Sequence, residues 1–251
     1  IPPDCGLFKK RPFRSPHHTI SYAGMIGGGN IPMPGEITLA HRGVLFMDEF
    51  SEFTRSVLES LRQPLESGKI TISRSRYSVD FPSKFMLVAS SNPCPCGHYG
   101  DPRKECTCSE RKIRSYQAKL SGPILDRIDL HVNVMPVDRN KLFNGSFGEK
   151  ETSKDILNRV LKAREIQIKR LGKENIFFNC EMSNSQVEKY CKLKEDSKRL
   201  LIQATERFGL SARTHFKLMK VARTIADIDG ADNIDVNHIA EAVQYRSKIF
   251  L

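Results

Sequence analysis

The chain has 251 residues, of which 39% are hydrophobic and 27% are charged, a composition typical of a folded globular protein and unlike that of a disordered one. The 40 lysines and arginines against 29 aspartates and glutamates give a net charge of +11, which favours an anionic partner such as nucleic acid, although a merely basic surface would carry the same charge. No apolar run approaches the ~18 residues that a membrane-spanning helix needs, so the sequence predicts a cytoplasmic chain without membrane association.

The N-terminal part of the chain is rich in glycine and proline. The stretch "GMIGGGNIPMPGE", residues 24–36, predicts a flexible or tightly turning insert. The run "VLFM", residues 44–47, is short, apolar and uninterrupted, which predicts a strand buried on both faces, as in a parallel sheet. Asp48 and Glu49 follow it directly. Two adjacent acids at the end of a buried strand are unfavourable unless something binds them.

The next predicted elements alternate between helix and strand. Residues 56–68 predict a helix that is interrupted near Pro64. Residues 69–81 alternate apolar and polar residues on either side of a short basic turn, which predicts a β-hairpin. The segments "KFMLVASSNP", residues 84–93, and "DLHVNVMPV", residues 129–137, predict two further buried strands.

From about residue 152 the pattern predicts only helices. One of them begins at the capping residue Ser211 and ends at Gly230, and the other segments have similar start and stop signals. The sequence therefore predicts an α/β core with a parallel sheet and helices over residues 1–143, a linker over residues 144–153, and an all-helical domain over residues 154–251.

Four of the seven cysteines are clustered. Cys94, Cys96, Cys106 and Cys108 have the spacing C-x-C-x9-C-x-C, and in a chain without a secretory signal such a cluster favours metal binding over disulfides. Thiolates on two short arms can complete a tetrahedral structural Zn²⁺ site. Because C-x-C is tighter than the usual C-x2-C, free reduced thiols and a redox pair stay open as alternatives. His98 could replace one ligand, although a lone histidine in a loop is usually just exposed.

The adjacent His17 and His18 are a second candidate metal pair. Side chains that are adjacent on an extended segment point to opposite sides. The sequence therefore argues against a metal site at this position.

The acids Asp48 and Glu49 suggest a nucleotide site. A strand that ends in Asp-Glu, a second strand that ends in "SSN", and an arginine after a further helix are laid out as in a P-loop ATPase core, where ligands bind at the carboxyl ends of the strands. In such a core Asp48 would hold Mg²⁺ through water, Glu49 would polarise the attacking water, and Asn92 would contact that water or the γ-phosphate. The alternative is a strand-end acid pair that simply faces solvent.

A family resemblance supports the nucleotide site. In the same order along the chain, roughly over residues 11–246, it closely resembles the magnesium-chelatase-like AAA+ ATPases of the ComM/YifB type, in the stretches "GEITLAHRGVLFMDEF", "LRQPLESGKITISR", "VASSNPCPCG", "SGPILDRIDLHV" and "LSARTHFKLMKVARTIADIDG". It also resembles, more distantly, replicative helicases of the MCM kind and the chelatase ATPase subunit itself. The resemblance implies an AAA+ core followed by a helical lid.

The resemblance also implies roles for individual residues. Asp48 and Glu49 match the Walker B acids, and Asn92 matches sensor 1. Arg127 matches the arginine that reaches the nucleotide of a neighbouring subunit and stabilises charge on its γ-phosphoryl group; a salt bridge to Asp126 or Asp129 is the alternative. Arg213 matches sensor 2 in the lid; a solvated arginine at a helix start is the alternative, although the helix dipole disfavours a positive charge there.

The hairpin tip carries Arg74 and Arg76 and matches the insertion that precedes sensor 1 in this family. In a ring such tips point into the central pore, where positive charges would meet a phosphate backbone. The alternative is an exposed turn with solvated charges. The glycine-rich stretch, residues 24–36, matches the insertion in the preceding helix.

The phosphate-binding loop G-x4-G-K-[ST] does not occur in the sequence. Gly68-Lys69 is followed by Ile70, and Gly172-Lys173 by Glu174, so neither pair has the hydroxyl residue that the motif needs. The family places this loop before the point where the chain starts. We therefore expect the C-terminal portion of such an ATPase, lacking the Walker A region, with weak or no binding of ATP by this portion alone.

The leading functional prediction is part of a ring-forming AAA+ ATPase, expected to be hexameric, that uses ATP and Mg²⁺ to remodel or translocate DNA, as in a helicase or branch-migration activity in recombination or competence. One alternative is an ATPase motor subunit that drives magnesium insertion into a porphyrin. Another is a non-catalytic, zinc-stabilised nucleic-acid-binding domain. The basic hairpin and the net charge favour DNA over the porphyrin, and the strand-end acids argue against a non-catalytic domain.

Overall fold

The computed structural model describes residues 10–73, 78–120, 122–135 and 151–246. These residues form two compact units that divide between Ile128 and Asp129. The first unit has a parallel sheet with helices and the second is helical, which confirms the predicted fold class. The predicted domain boundaries stay a proposal, because most of the predicted linker lies outside the described residues.

The first unit consists of short strands and short helices. In chain order they are β1 (Phe13–Arg14), α1 (Tyr22–Ile26), β2 (Gly27–Gly28), β3 (Met33–Pro34), α2 (Glu36–Leu39), β4 (Val44–Met47), α3 (Arg55–Ser60), α4 (Arg62–Ser67), β5 (Lys69–Ser73), β6 (Ser78–Pro82), β7 (Met86–Ala89), α5 (Glu110–Gln117) and α6 (Gly122–Leu125). A 3₁₀ turn, Phe50–Glu52, follows β4.

The central sheet has β4 in the middle, with β1 and β7 parallel to it on either side. Leu45 and Met47 of β4 are fully buried and belong to the core of this unit, whereas Val44 and Phe46 on the opposite face are half-buried and Met86 of β7 is 64% exposed. The prediction that these strands are buried on both faces is therefore wrong for the described residues. The core covers one face of the sheet, and the apolar side chains on the other face lie at the surface.

The predicted helix over residues 56–68 is divided into α3 and α4 at Leu61, three residues before Pro64. A proline inside a helix cannot donate to the carbonyl four residues earlier, and its ring clashes with that carbonyl. For Pro64 this carbonyl belongs to Ser60, the last residue of α3. The break thus falls where the proline forces it, and Pro64 itself lies in the first turn of α4, where it is tolerated.

Two antiparallel hairpins accompany the sheet. The predicted hairpin is confirmed as β5 paired with β6, with Ile70 and Ile72 pointing into the core. The glycine-rich insert forms the short pair β2–β3. Gly27 has a φ of 106° there, and a Cβ on it would lie 2.2 Å from the carbonyl oxygen of Met33. Only glycine fits at this close approach.

The strand predicted from "DLHVNVMPV" is not present over the described residues 129–135, which have no regular secondary structure. Val132 and Val134, which the alternating pattern places on one face, are 61% and 89% exposed. No neighbouring strand pairs with residues 129–135, so the alternating pattern does not form the predicted strand among the described residues. Instead, the backbone N–H of His131 donates to the carbonyl of Tyr245 at 2.8 Å.

The second unit contains the predicted helices, which are α7 (Ser153–Leu171), α8 (Asn184–Tyr190), α9 (Glu195–Phe208), α10 (Ala212–Ile228) and α11 (Val236–Gln244). The expected cap at Ser211 is confirmed, since its side chain accepts a hydrogen bond from the Thr214 N–H. The same helix ends at Ile228, two residues before the expected Gly230, whose φ of 69° is left-handed. The first half of α7 carries exposed apolar residues, including Ile156 and Leu157, and its buried residues come later. No helix among the described residues is long and apolar enough to cross a membrane.

A buried polar network lies inside the second unit. The Asp227 side chain has no solvent exposure and pairs with Arg170 at 2.6 Å and with Arg223 at 3.0 Å. Asn179 donates a further hydrogen bond to the same carboxylate at 2.8 Å. Because a buried charge must be paired and hydrogen-bonded, Asp227 links three segments of this unit, α7, the Asn179 turn and α10.

Candidate functional site

The candidate site lies at the carboxyl end of the central sheet. Asp48 and Glu49 follow the last residue of β4 and are both exposed. One oxygen of Asp48, Oδ1, accepts hydrogen bonds from the Glu49 N–H at 3.0 Å and from the Ser90 hydroxyl. Because both bonds go to Oδ1, the other oxygen, Oδ2, is the one that can face a cation or its water. Carboxylate and hydroxyl oxygens are the ligands that Mg²⁺ prefers.

Glu49 has an unusual backbone conformation. Its φ of 52° and ψ of 47° are left-handed, which costs a non-glycine residue about 1–3 kcal/mol and persists only where the surroundings hold it. Those surroundings are the N–H of Phe50, which donates to the Ser90 carbonyl at 2.7 Å, and the buried side chains of Phe50 and Phe53. The turn directs the Glu49 side chain away from β4. This side chain is half exposed.

His18 contacts Glu49. The Nδ1 atom of His18 lies 3.0 Å from Oε2 of Glu49, and the His18 ring meets the ring of Phe53 edge-on. The segment after β1 brings the histidine here because β1 is parallel to β4, so both chains leave the sheet at the same edge. The sequence indicated a histidine pair but not this partner, since the pairing of β1 with β4 is a tertiary feature.

The expectation that His17 and His18 point to opposite sides is wrong. Their ring centroids are 4.1 Å apart. The segment is not extended but turns, with the Ile20 N–H donating to the His17 carbonyl at 3.0 Å, and the Nδ1 atom of His17 lies 2.9 Å from the Thr19 hydroxyl. In a turn the alternation that holds for a strand is lost.

The polar residues after β7 complete this edge of the sheet. Met47 pairs with Ala89 in the register, so Ser90 lies beside Asp48, and its N–H donates to the Met47 carbonyl at 3.1 Å. The Ser91 hydroxyl contacts that of the buried Ser51 at 2.5 Å. Asn92, the sensor 1 candidate, follows in an exposed position. The structure thus brings Asp48, Glu49 and the segment before Asn92 to one edge, as the strand pattern predicted.

Tyr116 is a neighbour of this edge that the sequence did not single out. It lies on α5 and is buried, and Ser51, Glu52 and Ser91 are near enough to its hydroxyl group to influence its pKa. Burial raises the pKa of Tyr116 above its ordinary value, and the nearby carboxylate of Glu52 contributes to the rise. A buried tyrosine on a helix ordinarily indicates core packing, and no sequence signal distinguishes one that reaches a site.

Arg127, the arginine-finger candidate, is held within the first unit. Its Nη2 atom lies 2.5 Å from a carboxylate oxygen of Glu66, its Nε donates to the Arg62 carbonyl at 3.1 Å, and its Nη1 donates to the Pro123 carbonyl at 2.7 Å. The side chain is only 12% exposed. The alternative for this residue was a salt bridge to Asp126 or Asp129, and the structure shows a salt bridge to Glu66.

The remaining predicted arginines lie elsewhere. Arg213 is exposed in the first turn of α10, in the second unit. Arg74 and Arg76 lie outside the described residues, which end at Ser73 on one side of the hairpin and resume at Ser78 on the other.

The four clustered cysteines come together as predicted. Their sulfur atoms all lie within 4.8 Å of one another, and none forms a disulfide. The sulfur of Cys94 is 3.4 Å from that of Cys96 and 3.7 Å from that of Cys106. A backbone hydrogen bond from His98 lowers the pKa of Cys96 to about 5, whereas burial raises the pKa of Cys108. The cluster has the donor set and the size of a metal site.

Two sequence families match the chain in succession. Residues 3–142 match the family described as "Magnesium chelatase, subunit ChlI". Residues 150–246 match the family described as "Magnesium chelatase, subunit ChlI C-terminal".

Individual relatives agree with these matches. The chain is 46% identical over 245 residues to "Competence protein ComM" of Haemophilus influenzae, covering 97% of this chain and 47% of that protein. It is 45% identical over 240 residues to "Uncharacterized protein YifB" of Escherichia coli, covering 96% and 46%. Identity to the "Magnesium-chelatase 38 kDa subunit" of Rhodobacter capsulatus is 25% over 211 residues, covering 82% and 51%. The chain thus spans about half the length of the curated relatives it matches.

Proposed function

The chain belongs to the magnesium chelatase family, and from this membership we propose that it is part of a ring-forming AAA+ ATPase that couples ATP hydrolysis to the remodelling or translocation of DNA. The observation that carries the ATPase part of the proposal is the arrangement of Asp48 and Glu49 at the carboxyl end of β4, beside Ser90 of the neighbouring strand. Ligands of open parallel sheets bind at this end.

In this proposal each acid has its own role. Asp48 holds Mg²⁺ through water, and its hydrogen bonds from the Glu49 N–H and the Ser90 hydroxyl fix the direction of its free oxygen. Glu49 accepts a proton from the attacking water, which polarises it. The Mg²⁺ ion, when bound, neutralises charge on the phosphates. His18 orients the Glu49 carboxylate from the side away from β7.

The other site residues act around the γ-phosphate. Asn92 contacts the attacking water or the phosphate. Arg127 reaches the nucleotide of a neighbouring subunit, which requires that it leave Glu66. Arg213 of the helical lid contacts the nucleotide from its own subunit. These roles follow the family resemblance, and a ring, most simply a hexamer, is the assembly that makes an arginine supplied by a neighbour useful.

The motif of a phosphate-binding loop does not occur in these 251 residues, so we infer that by themselves they bind ATP weakly or not at all. One face of the central sheet is exposed and apolar. Phe13 and Phe46 pack with ring centroids 6.2 Å apart on the face opposite the core, and Phe13 is 63% exposed. Parallel sheets are ordinarily covered on both faces. Among the described residues this apolar face has no such cover.

The charge favours DNA as the substrate, and the chain is more similar to a competence protein than to a magnesium-chelatase subunit. The relative called a competence protein is 46% identical, whereas the magnesium-chelatase subunit is 25% identical. The net charge of +11 suits a polyanion. In the proposal Arg74 and Arg76 at the hairpin tip contact the phosphate backbone in the pore of the ring, and the protein works in the cytoplasm.

The four cysteines hold a structural Zn²⁺ in the same proposal. Because Cys94, Cys96, Cys106 and Cys108 supply four thiols, they fill every position of a tetrahedral ion. A catalytic zinc ion would keep one position open for water or substrate.

The test compares ATP turnover of this chain with that of a version extended on its N-terminal side to include a phosphate-binding loop. The extended protein is expected to hydrolyse ATP, and DNA is expected to accelerate this hydrolysis. The chain alone is expected not to hydrolyse ATP, with or without DNA. Absence of turnover in the extended protein contradicts the ATPase proposal. Micromolar ATP affinity of the chain alone, measured by calorimetry, contradicts the inference about the missing loop.

The DNA part has a separate test. Binding to DNA is measured across a range of salt concentrations, for the unaltered protein and for a variant with Arg74→Glu and Arg76→Glu. We expect affinity to fall with salt and to be lower in the variant at every concentration. Unchanged affinity in the variant, or no binding even at low salt, contradicts the proposed pore contact.

A further inference from the structure

The four-cysteine cluster is next to the candidate nucleotide site along the chain. Cys94 follows Asn92 and Pro93 directly, and Cys108 is followed by Ser109, which caps α5 by accepting a hydrogen bond from the Lys112 N–H. The cluster therefore closes a loop, residues 94–108, that connects the segment after β7 to helix α5. Whatever holds the cluster together also fixes the distance between these ends.

Three of the sulfur atoms have separations close to those around one tetrahedral metal ion, and the fourth, that of Cys108, lies within 4.8 Å of each of them. With zinc–sulfur bonds of about 2.3 Å, the sulfur atoms of a regular tetrahedron lie about 3.8 Å apart. The observed separations are 3.4 Å between Cys94 and Cys96, 3.6 Å between Cys96 and Cys106, and 3.7 Å between Cys94 and Cys106. A disulfide would need about 2.05 Å. In addition, the Tyr99 N–H donates to the Cys94 sulfur at 3.4 Å, a bond that orients a ligand from outside the metal shell.

The loop lies outside the hydrophobic cores. Among residues 94–108 only Cys94 is buried, and none of them belongs to either hydrophobic core cluster. Its backbone bonds are local, such as the Gly97 N–H to the Cys94 carbonyl at 2.9 Å and the Asp101 N–H to the His98 carbonyl at 3.0 Å. Loops of this length without secondary structure are uncommon in compact domains. A metal ion supplies the cross-link that an apolar core does not.

The segment between the loop and β7 carries the sensor candidate. The side chain of Gln117 on α5 donates to the Pro93 carbonyl at 3.1 Å, and the Ser91 hydroxyl contacts the buried Ser51. Asn92 lies between these two anchors in an exposed stretch with no strand or helix of its own. Its position is therefore set on one side by β7 and the Ser91 contact, and on the other by Pro93, which is bonded to α5 and is followed directly by Cys94, the first residue of the cluster.

We propose that a Zn²⁺ ion bound by Cys94, Cys96, Cys106 and Cys108 fixes the loop between β7 and α5 and thereby positions Asn92, which lies between this loop and the end of β7. We call this role the clamp: the zinc ion would hold residues 90–93, which follow β7, and would take no part in the chemistry of ATP hydrolysis. The consequence for ATP turnover depends on the proposed function, whereas the metal site and the positioning do not, because both can be measured without nucleotide.

The first experiment measures metal content and ligand chemistry. We expect one zinc ion per purified chain, and Co²⁺ in its place is expected to give the visible absorption of a tetrahedral thiolate site. Cys106→Ser is expected to lose the metal, while Cys180→Ser, a change of an exposed cysteine in the second unit, is expected to retain it. A metal-free protein, or one with disulfides among these cysteines, overturns the proposal.

The second experiment measures positioning by hydrogen exchange, without nucleotide. On removal of zinc from the unaltered protein by a chelator, amide protection over residues 90–108 is expected to fall by about tenfold or more and to return when zinc is added back. Protection over residues 151–246 is the internal control and is expected to stay the same. Loss of protection in 94–108 alone, with residues 90–93 unchanged, overturns the clamp while leaving the metal site in place. If the clamp is found but the extended protein has no ATPase, the proposed function fails and this inference stands.

Discussion

The side chain of His18 contacts that of Glu49, with 3.0 Å between Nδ1 of the histidine and Oε2 of the glutamate. The two residues are far apart in the sequence and meet because β1 and β4 are parallel neighbours. The contact ties the strained turn at Glu49 to a second element, so the direction of the carboxylate is set by tertiary structure as well as by its left-handed backbone.

The first prediction concerns Glu49 as the residue that polarises water. In the extended protein, Glu49→Gln is expected to lower ATP turnover by about a hundredfold or more, because an amide of the same shape cannot accept the proton. ATP affinity is expected to change little. The matched control is Glu52→Gln in the same turn, whose carboxylate lies 3.8 Å from Lys119. Undiminished turnover in Glu49→Gln would refute the assignment.

The second prediction concerns His18. His18→Ala is expected to lower the maximal turnover by about tenfold to a hundredfold with little change in KM, because the carboxylate of Glu49 loses the contact that directs it. His18→Asn, which can still donate a hydrogen bond, is expected to restore part of the rate. His17→Ala is the control, since His17 contacts Thr19 instead. Equal effects of the two alanine variants would show that the Glu49 contact is irrelevant.

The third prediction concerns Arg127 and its release from Glu66. An arginine that acts on a neighbour's nucleotide contributes about 10³–10⁵ to the rate, so Arg127→Ala is expected to be nearly inactive. Mixed with Glu49→Gln, it is expected to regain activity, because the Gln variant donates its intact arginine to a subunit with an intact glutamate. A mixture no more active than its components would place the role of Arg127 within its own subunit.

The fourth prediction concerns the buried network of the helical unit. Asp227→Ala leaves Arg170 and Arg223 without their shared carboxylate. Breaking a buried ion pair by removing one partner costs about 3–5 kcal/mol. Urea denaturation followed by circular dichroism is expected to show this loss for the helical transition. Asp232→Ala, a change of an exposed residue, is the control and should have an effect below about 0.5 kcal/mol.

The fifth prediction concerns pH and Glu174. Hydrogen bonds from Lys189, Tyr190 and Gln186 lower the pKa of Glu174 from 4.5 to about 2. A carboxylate whose folded pKa is lowered stabilises the protein above its unfolded pKa and loses that contribution as the pH falls through the folded value. The stability gap between the unaltered protein and Glu174→Gln is therefore expected to be full above pH 4.5 and to shrink toward pH 2. A gap that is constant with pH would rule out this ionised contact, and Glu188→Gln is the exposed control.

Much of the local structure could be predicted from the sequence, because its causes are local. Capping residues and glycines marked the helix ends, and the clash of Pro64 with the carbonyl of Ser60 explains the break at Leu61. The strand predicted from the alternation in "DLHVNVMPV" is absent because a strand forms only when it pairs with another strand. The described residues 129–135 pair with no strand. The expectation that His17 and His18 point to opposite sides was wrong because their segment forms a turn. The residue types permit this turn but do not require it.

The sequence by itself determined which residues could carry chemistry: an Asp-Glu pair after an apolar run, four cysteines on two short arms, and arginines in a recognisable order. Their types and spacing are fixed by the covalent chain. The tertiary structure decided which of them meet. It brought His18 to Glu49 and Ser90 to Asp48 through the pairing of β1 and β7 with β4, and it gave Arg127 the partner Glu66. Such contacts join residues distant in sequence, and only the packing of whole elements fixes their distances.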